Sequence, residues 1–208
     1  MERIRLIYSK GSELQFTGNL DMQKVWERSF RRSGLPLAYS QGFHPQPRIH
    51  QACPLPLGFL SSNDLIDIWL NGEESIEMIR SRLLPALQPG ITVQEILLIP
   101  LQEKPLQTRI KAAVYRVQIE DEIWFTNLQQ RIEAILSREG IQRERRGKLY
   151  NLRPLIENIK ILQEKSPVLQ MTLTTLPSAT GRPEEVLDEL GIPWQETIIE
   201  RTGLILSQ

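Results

Sequence analysis

Apolar and polar residues alternate from Arg3 to Ser9, with Ile4, Leu6 and Tyr8 on one side and Arg3, Arg5 and Ile7 on the other. Lys10-Gly11 closes the run, which predicts a strand. The period then changes. Met22, Val25, Trp26 and Phe30 fall at i, i+3, i+4 and i+8, behind Asn19 as N-cap and ahead of Gly34 as terminator. That spacing predicts an amphipathic helix of about four turns, whose opposite face carries Lys24, Arg28, Arg31 and Arg32. Asp64 to Leu70 reads as a strand, and Ser75 caps a helix bearing Ile76, Ile79 and Leu83 that Pro85 and Pro89-Gly90 end. Ile91 to Ile99 is a further strand, and one extended piece inside Arg48 to Leu57 completes the order β-α-β-β-α-β.

The second half repeats that order. Ala112 to Glu120 alternates as a strand, and Asp121 caps a helix bearing Phe125, Leu128, Ile132, Ile135 and Leu136 that Gly140 stops. Two extended segments follow, Gln142 to Leu162 and Pro167 to Leu176. Gly181-Arg182-Pro183-Glu184-Glu185 then opens a short helix with Val186, Leu187 and Leu190 inward, and Thr197 to Leu206 is the last strand. Lys104-Pro105 interrupts the pattern between the halves. The expected fold is therefore α+β, two tandem ferredoxin-like (βαββαβ) halves with antiparallel sheets, covering 1–104 and 105–208. Trp26, Phe30, Leu70, Ile79, Leu128, Ile132, Leu173 and Leu187 are expected in the cores.

The least ordinary passage is the proline-rich loop 35–58, which holds five of the fourteen prolines and both histidines. Each proline fixes its own φ, removes a donor and pushes its predecessor toward extended backbone, so Phe43 to Arg48 is expected as a stiff, ordered loop. Stiffness would present Tyr39, Phe43, His44, Arg48 and His50 at low entropic cost, which suits recognition. The bland alternative is rigid turn chemistry in a long connection.

Charge adds a second feature. The 25 basic and 25 acidic residues cancel, which argues against a strong non-specific polyanion binder. Their placement is uneven. Arg28, Arg31, Arg32 and Arg48 with Lys24 face only Glu27, and Arg138, Arg143, Arg145, Arg146, Lys148 and Arg153 face only Glu139 and Glu144. Each stretch reads either as a solvated face or as a contact for phosphates or an acidic partner. The single cysteine, Cys53, excludes an internal disulfide and multi-cysteine metal patterns and is expected to be small and buried, and His44 and His50 lack the spacing of a helical metal pair. No cofactor and no metal are expected. No apolar run reaches the ~18 residues of a membrane span, and the charged Met1-Glu2-Arg3-Ile4-Arg5 start is unlike a signal peptide, so the expectation is a cytoplasmic protein without membrane contact.

Y-S-K-G-S-E-L-Q-F (Tyr8 to Phe16), N-L-D-M (Asn19 to Met22), R-R-S-G-L-P-L-A-Y-S-Q-G-F-H-P-Q-P-R-I (Arg31 to Ile49) and P-L-P-L-G (Pro54 to Gly58) together resemble the bacterial radical SAM-linked protein family. N-L-R-P (Asn151 to Pro154) and G-R-P-E-E-V-L (Gly181 to Leu187) extend the resemblance over nearly the whole chain. Members of that family occur alone or fused behind a B12-binding radical SAM enzyme, and often beside genes for E/G-type ribonucleases. The family pattern commonly has a histidine before L-D where this chain has Asn19, and G-F-N-P-H-P where it has Gly42-Phe43-His44-Pro45-Gln46-Pro47.

One cysteine cannot hold a radical SAM cluster, and the chain has no P-loop, no G-x-S-x-G elbow and no G-x-G-x-x-G fingerprint. The resemblance thus implies a non-catalytic regulator or adaptor in RNA metabolism, binding an E/G-type endoribonuclease and more readily inhibiting than activating it. Two alternatives stay open. One is direct binding of single-stranded RNA, with Tyr39, Phe43 and Tyr150 stacking between basic residues. The other is a metal-independent endoribonuclease with His44 as general acid or base. The candidate partner- or RNA-binding set is Arg28, Arg31, Arg32, Tyr39, Phe43, His44, Arg48, Arg143, Arg145, Arg146, Lys148 and Arg153.

Overall fold

The computed structural model describes residues 1–164 and 168–207 and is mixed α+β. The chain divides into two compact units, Met1–Arg109 and Ile110–Gln208. The first runs β1 (Glu2–Lys10), α1 (Asn19–Ser33), β2 (Ile49–Gln51), β3 (Leu60–Leu70), α2 (Ile76–Leu83), β4 (Ile91–Ile99) and one helical turn, α3 (Leu106–Arg109). Its sheet has the order β4-β1-β3-β2 with every neighbour antiparallel.

Helix α1 starts one residue earlier than its cap signal suggests. Gly18 takes the extended N-cap position without a side-chain cap, Asn19 is already helical, and Gly34 ends the helix at φ 66°, a left-handed conformation that favours glycine. Ser75 does cap α2, its hydroxyl accepting from the Met78 N–H at 3.2 Å. Both helices bury their apolar stripe on one face of the sheet, where Trp26, Phe30, Ile79 and Leu83 meet Ile4, Leu6, Ile66, Ile68 and Leu70. Tyr8 meets Trp26 edge-on at 4.9 Å and Trp26 stacks on Phe30 at 5.6 Å. Cys53 is only partly buried, contrary to expectation, because it follows the short β2 where the chain leaves the sheet.

The second unit runs β5 (Ile110–Ile119), α4 (Leu128–Leu136), β6 (Gln142–Arg145), β7 (Lys148–Asn151), β8 (Ile156–Leu162), β9 (Val168–Leu176), β10 (Ala179–Thr180), α5 (Pro183–Glu189) and β11 (Thr197–Leu206). Its sheet has the order β11-β5-β9-β8, again antiparallel throughout, with β10 pairing the end of β9. Pro167, the expected start of one strand, lies outside the described residues; the strand runs from Val168.

Two local expectations change here. Asp121 caps a 3-10 turn, Glu122–Phe125, by accepting from the Ile123 N–H at 2.9 Å, and the α-helix begins only after Asn127 at φ 54°. Asparagine tolerates that left-handed residue, which breaks the helical run into two pieces. The long extended segment Gln142 to Leu162 is instead a hairpin, β6–β7, followed by the turn Arg153–Leu155 and then β8. Arg146 at φ 50° and Gly147 at φ 74° make the two-residue hairpin turn.

No helix among the described residues is long and apolar enough to cross a membrane. The eight side chains expected in the cores are all 2% exposed or less. Truncating Phe30 to Ala is expected to cost ~3–5 kcal/mol and Ile132 to Ala ~2–5 kcal/mol, because each leaves a cavity in a packed interior. Urea unfolding of the two variants measures this, and a loss under ~1 kcal/mol would remove that residue from the core.

Candidate functional site

The proline-rich passage is held to the edge of the first unit's sheet by its own backbone. Ala38 N–H donates to the Trp69 carbonyl at 2.8 Å, Trp69 N–H to the Arg48 carbonyl at 3.2 Å, and Arg48 N–H to the Ala38 carbonyl at 2.9 Å. Beyond that edge the loop closes on itself. The Ser40 N–H donates to the Gln46 carbonyl at 2.8 Å, and the Gln46 N–H to the Ser40 hydroxyl at 3.0 Å. Phe43, between them, is wholly exposed at 102%, Tyr39 is 47% exposed, and His44 is exposed.

Beneath the loop, the sheet face away from the helices carries charge. Arg48 lies over the Trp69 ring at 4.5 Å, Arg3 approaches the same ring at 5.3 Å, and His50 meets it edge-on at 4.7 Å. Asp67, fully buried, accepts from Arg3 Nε at 2.9 Å and Nη2 at 2.6 Å, and from Arg5 Nε at 2.8 Å and Nη2 at 3.0 Å. Burial alone would lower the Arg5 pKa, but its bonds to Asp67 and the charges of Asp67 and Glu103 outweigh that and raise it. Arg3 also donates to the Glu103 carbonyl at 2.6 Å and the Lys104 carbonyl at 3.1 Å, while the Glu103 carboxylate accepts from Arg5 and Arg109. The alternation of β1 leaves Arg3 and Arg5 off the apolar side; it gives no sign that they are buried, at 2% and 6% exposed.

The other candidate residues divide by what they touch. Arg28 and Arg31 are exposed on α1, whereas the Arg32 guanidinium donates to the Ala86 carbonyl at 3.2 and 2.6 Å. In the second unit, Arg153 donates to the carbonyls of Leu136 and Ile156, and Asn151 Oδ1 accepts from the N–H groups of Ile141 and Arg153, so both close the base of the hairpin. Arg143 reaches Asp188, Glu189 and the Glu185 carbonyl along α5.

Arg145, Arg146, Lys148 and Arg182 converge on a cavity of about 730 Å³ in the second unit, between the hairpin and the segment 177–182. Arg145 and Arg182 share the Glu185 carboxylate at 3.6 and 3.7 Å. Arg146 and Lys148 form no ion pair among the described residues. The Tyr150 hydroxyl, also on the cavity, is buried beside the Glu185 carboxylate and the Arg182 guanidinium. Burial, reinforced by Glu185, pushes its pKa up to about 12, so it is a protonated donor at neutral pH. Gly181 fixes the wall, since a Cβ there would stand 2.9 Å from the Leu155 carbonyl oxygen. Arg182 and Trp69 are the residues missed as site members; the G-R-P-E-E-V-L motif signalled the first, and only its place inside a charged strand, D-L-I-D-I-W-L, signalled the second.

Two measurements follow from the first unit. Asp67→Asn leaves Arg3 and Arg5 buried without their counter-ion and is expected to cost ~3–5 kcal/mol in urea unfolding, a value near zero showing that the cluster relaxes into water. Burial and the charge of Arg48, with a further contribution from Arg3, hold the His50 pKa below its usual value against the opposing charge of Asp67. The unfolded chain therefore takes up a proton near pH ~6.5 that the folded chain accepts only at lower pH. Stability is full above that pH and falls as pH drops through it. His50→Gln is expected to flatten this part of the stability profile, and a profile as steep as the parent's would place the titration elsewhere.

No curated protein matches the chain. Among solved structures, an unknown protein from Galdieria sulphuraria is 14% identical over 100% of this chain and 99% of its own, with a TM-score of 0.29. A protein described as a glycine cleavage system transcriptional repressor is 8% identical over 100% of this chain and 99% of its own, with a TM-score of 0.26. TM-scores this low carry no argument about fold or function. One family profile matches residues 3–183, and by that match the chain belongs to the family described as "Uncharacterized protein conserved in bacteria (DUF2344)".

Proposed function

We propose that this protein is a non-catalytic adaptor in RNA metabolism, acting in the cytoplasm, that binds an E/G-type endoribonuclease and restrains it. The supporting observation is Phe43, wholly exposed at the tip of a loop that Ser40 and Gln46 close with two hydrogen bonds. An aromatic side chain presented on a pre-ordered loop loses little entropy on docking and makes a strong anchor. Arg28 and Arg31, exposed on α1 of the same unit, supply charge that steers an acidic partner. The resemblance to the radical SAM-linked family, whose members often lie beside E/G-type ribonuclease genes, supports the choice of partner.

We read each unit as a ferredoxin-like half. The matching strand orders, β4-β1-β3-β2 and β11-β5-β9-β8, support this, with the hairpin β6–β7 as an insertion in the second.

The test uses purified E/G-type ribonuclease and, separately, a single-stranded oligoribonucleotide, each at two salt concentrations. The protein should bind the ribonuclease and slow its cleavage of RNA. Phe43→Ala should weaken that binding by at least tenfold, or ~1.4 kcal/mol, and Arg28→Glu with Arg31→Glu should slow association. A steep salt slope with the oligonucleotide and no capture of the ribonuclease would show RNA binding instead. Unchanged ribonuclease affinity in both variants would overturn the docking site.

A further inference from the structure

We propose that the cavity beside the β6–β7 hairpin binds a phosphorylated nucleotide. This inference is independent of the ribonuclease reading, which concerns the other unit. The cavity, about 730 Å³, falls within the ~300–1,000 Å³ range of small-molecule sites. Its lining has two chemistries. Arg145, Arg146, Lys148 and Arg182 supply positive charge, while Leu149, 75% exposed, joins proline and alanine side chains in an apolar wall.

The charges are more than the fold uses. Arg143 already serves the acids of α5, and Glu185 answers Arg145 and Arg182 only at 3.6 and 3.7 Å, longer than a hydrogen bond. Arg146 sits in the hairpin turn and Lys148 directly follows it, and neither has a carboxylate partner among the described residues. A turn that places Arg146 at φ 50°, where most side chains are disfavoured, holds these two cations at the tip, next to the cavity. Three arginines and a lysine around one space match the oxygens of a phosphate.

Phosphate alone would leave the apolar wall uncovered. The Tyr150 hydroxyl is removed from water beside Glu185 and Arg182, and Tyr150 lines the cavity together with Leu149. A ligand that carries a flat ring beside its charge covers that wall and removes apolar surface from water. A nucleoside phosphate has both parts: an anionic end and a planar face. The same chemistry is offered by a free nucleotide or by the phosphorylated end of an RNA strand.

The experiment is calorimetric titration of the full-length protein with each of the four nucleoside 5′-monophosphates, the corresponding nucleosides, inorganic phosphate, and a short oligoribonucleotide with and without a 5′-phosphate. At least one monophosphate should bind at a stoichiometry of one, and its nucleoside and inorganic phosphate should each bind at least tenfold more weakly. Arg146→Glu with Lys148→Glu should reduce that affinity at least tenfold. Tyr150→Leu, which removes the flat ring but keeps the wall apolar, should weaken monophosphate binding severalfold and leave inorganic phosphate binding unchanged; full monophosphate affinity in this variant would remove Tyr150 from the site. Preference for the 5′-phosphorylated oligonucleotide over the monophosphate identifies an RNA end as the source, and the reverse preference identifies a free nucleotide. No binding of any monophosphate, equal binding of inorganic phosphate, or full affinity in the charge-reversed variant would overturn the proposal. Because none of these substitutions touches the loop 40–46, ribonuclease binding should survive them, which separates this failure from failure of the adaptor reading.

Discussion

Asp67 is the point on which the first unit depends. One fully buried carboxylate accepts four hydrogen bonds from two guanidinium groups, and the excess positive charge is met by Glu103. Taking three charges out of water is expensive, so such a cluster contributes little net stability compared with an apolar replacement. Its effect is on register. In the β1–β3 ladder Arg5 stands opposite Asp67 and Ile4 opposite Ile68. A slip of one residue would turn Asp67 onto the face where Trp26 and Phe30 pack and leave both arginines unpaired. The correct pairing is thus separated from its neighbours by the desolvation of three charges.

The same cluster fixes what lies around it. Arg3 reaches past Asp67 to the carbonyls of Glu103 and Lys104, which ties down the chain after β4. On the other side Arg3 shares the Trp69 ring with Arg48, and Trp69 exchanges backbone bonds with Ala38 and Arg48 at the two ends of the proline-rich excursion. Prolines limit the conformations of that loop, but its position comes from the β3 edge. The exposed Phe43 is therefore carried on a continuous path of contacts leading back to Asp67.

Periodicity made the cores legible. Trp26, Phe30, Ile79, Leu128 and Ile132 sit where helical spacing placed them, because an amphipathic stripe has one way to face a sheet. What escaped the sequence were features that a residue type does not announce. Alternation put Arg3 and Arg5 opposite the apolar side of β1, but says nothing about whether that side is covered. The turn Arg146-Gly147 has only half of the usual Asn-Gly signal, so the hairpin was hidden inside an extended run. Asn127 gives no sign in sequence that it will leave the helical region and split one helix into two pieces. The basic residues of 138–153 were visible as a cluster but not as individuals. Arg153 binds main-chain carbonyls and Arg143 binds α5, and only three-dimensional placement separates them from Arg146 and Lys148.

That separation bears on what the second unit's motifs do. In N-L-R-P, Asn151 and Arg153 bond to the backbone on both sides of the hairpin and fix the angle at which it leaves the sheet. In G-R-P-E-E-V-L, Gly181 lets the chain pass so close to Leu155 that a Cβ would stand 2.9 Å from its carbonyl oxygen, and Glu185 lies behind Arg182 and Arg145. Neither motif is needed for the sheet itself, whose strands pair through β5, β8, β9 and β11. Their shared consequence is a rigid frame around one cavity, with Tyr150 as its buried donor and the hairpin cations at its mouth. The two motifs, thirty residues apart in sequence, thus act together on the walls of that one cavity.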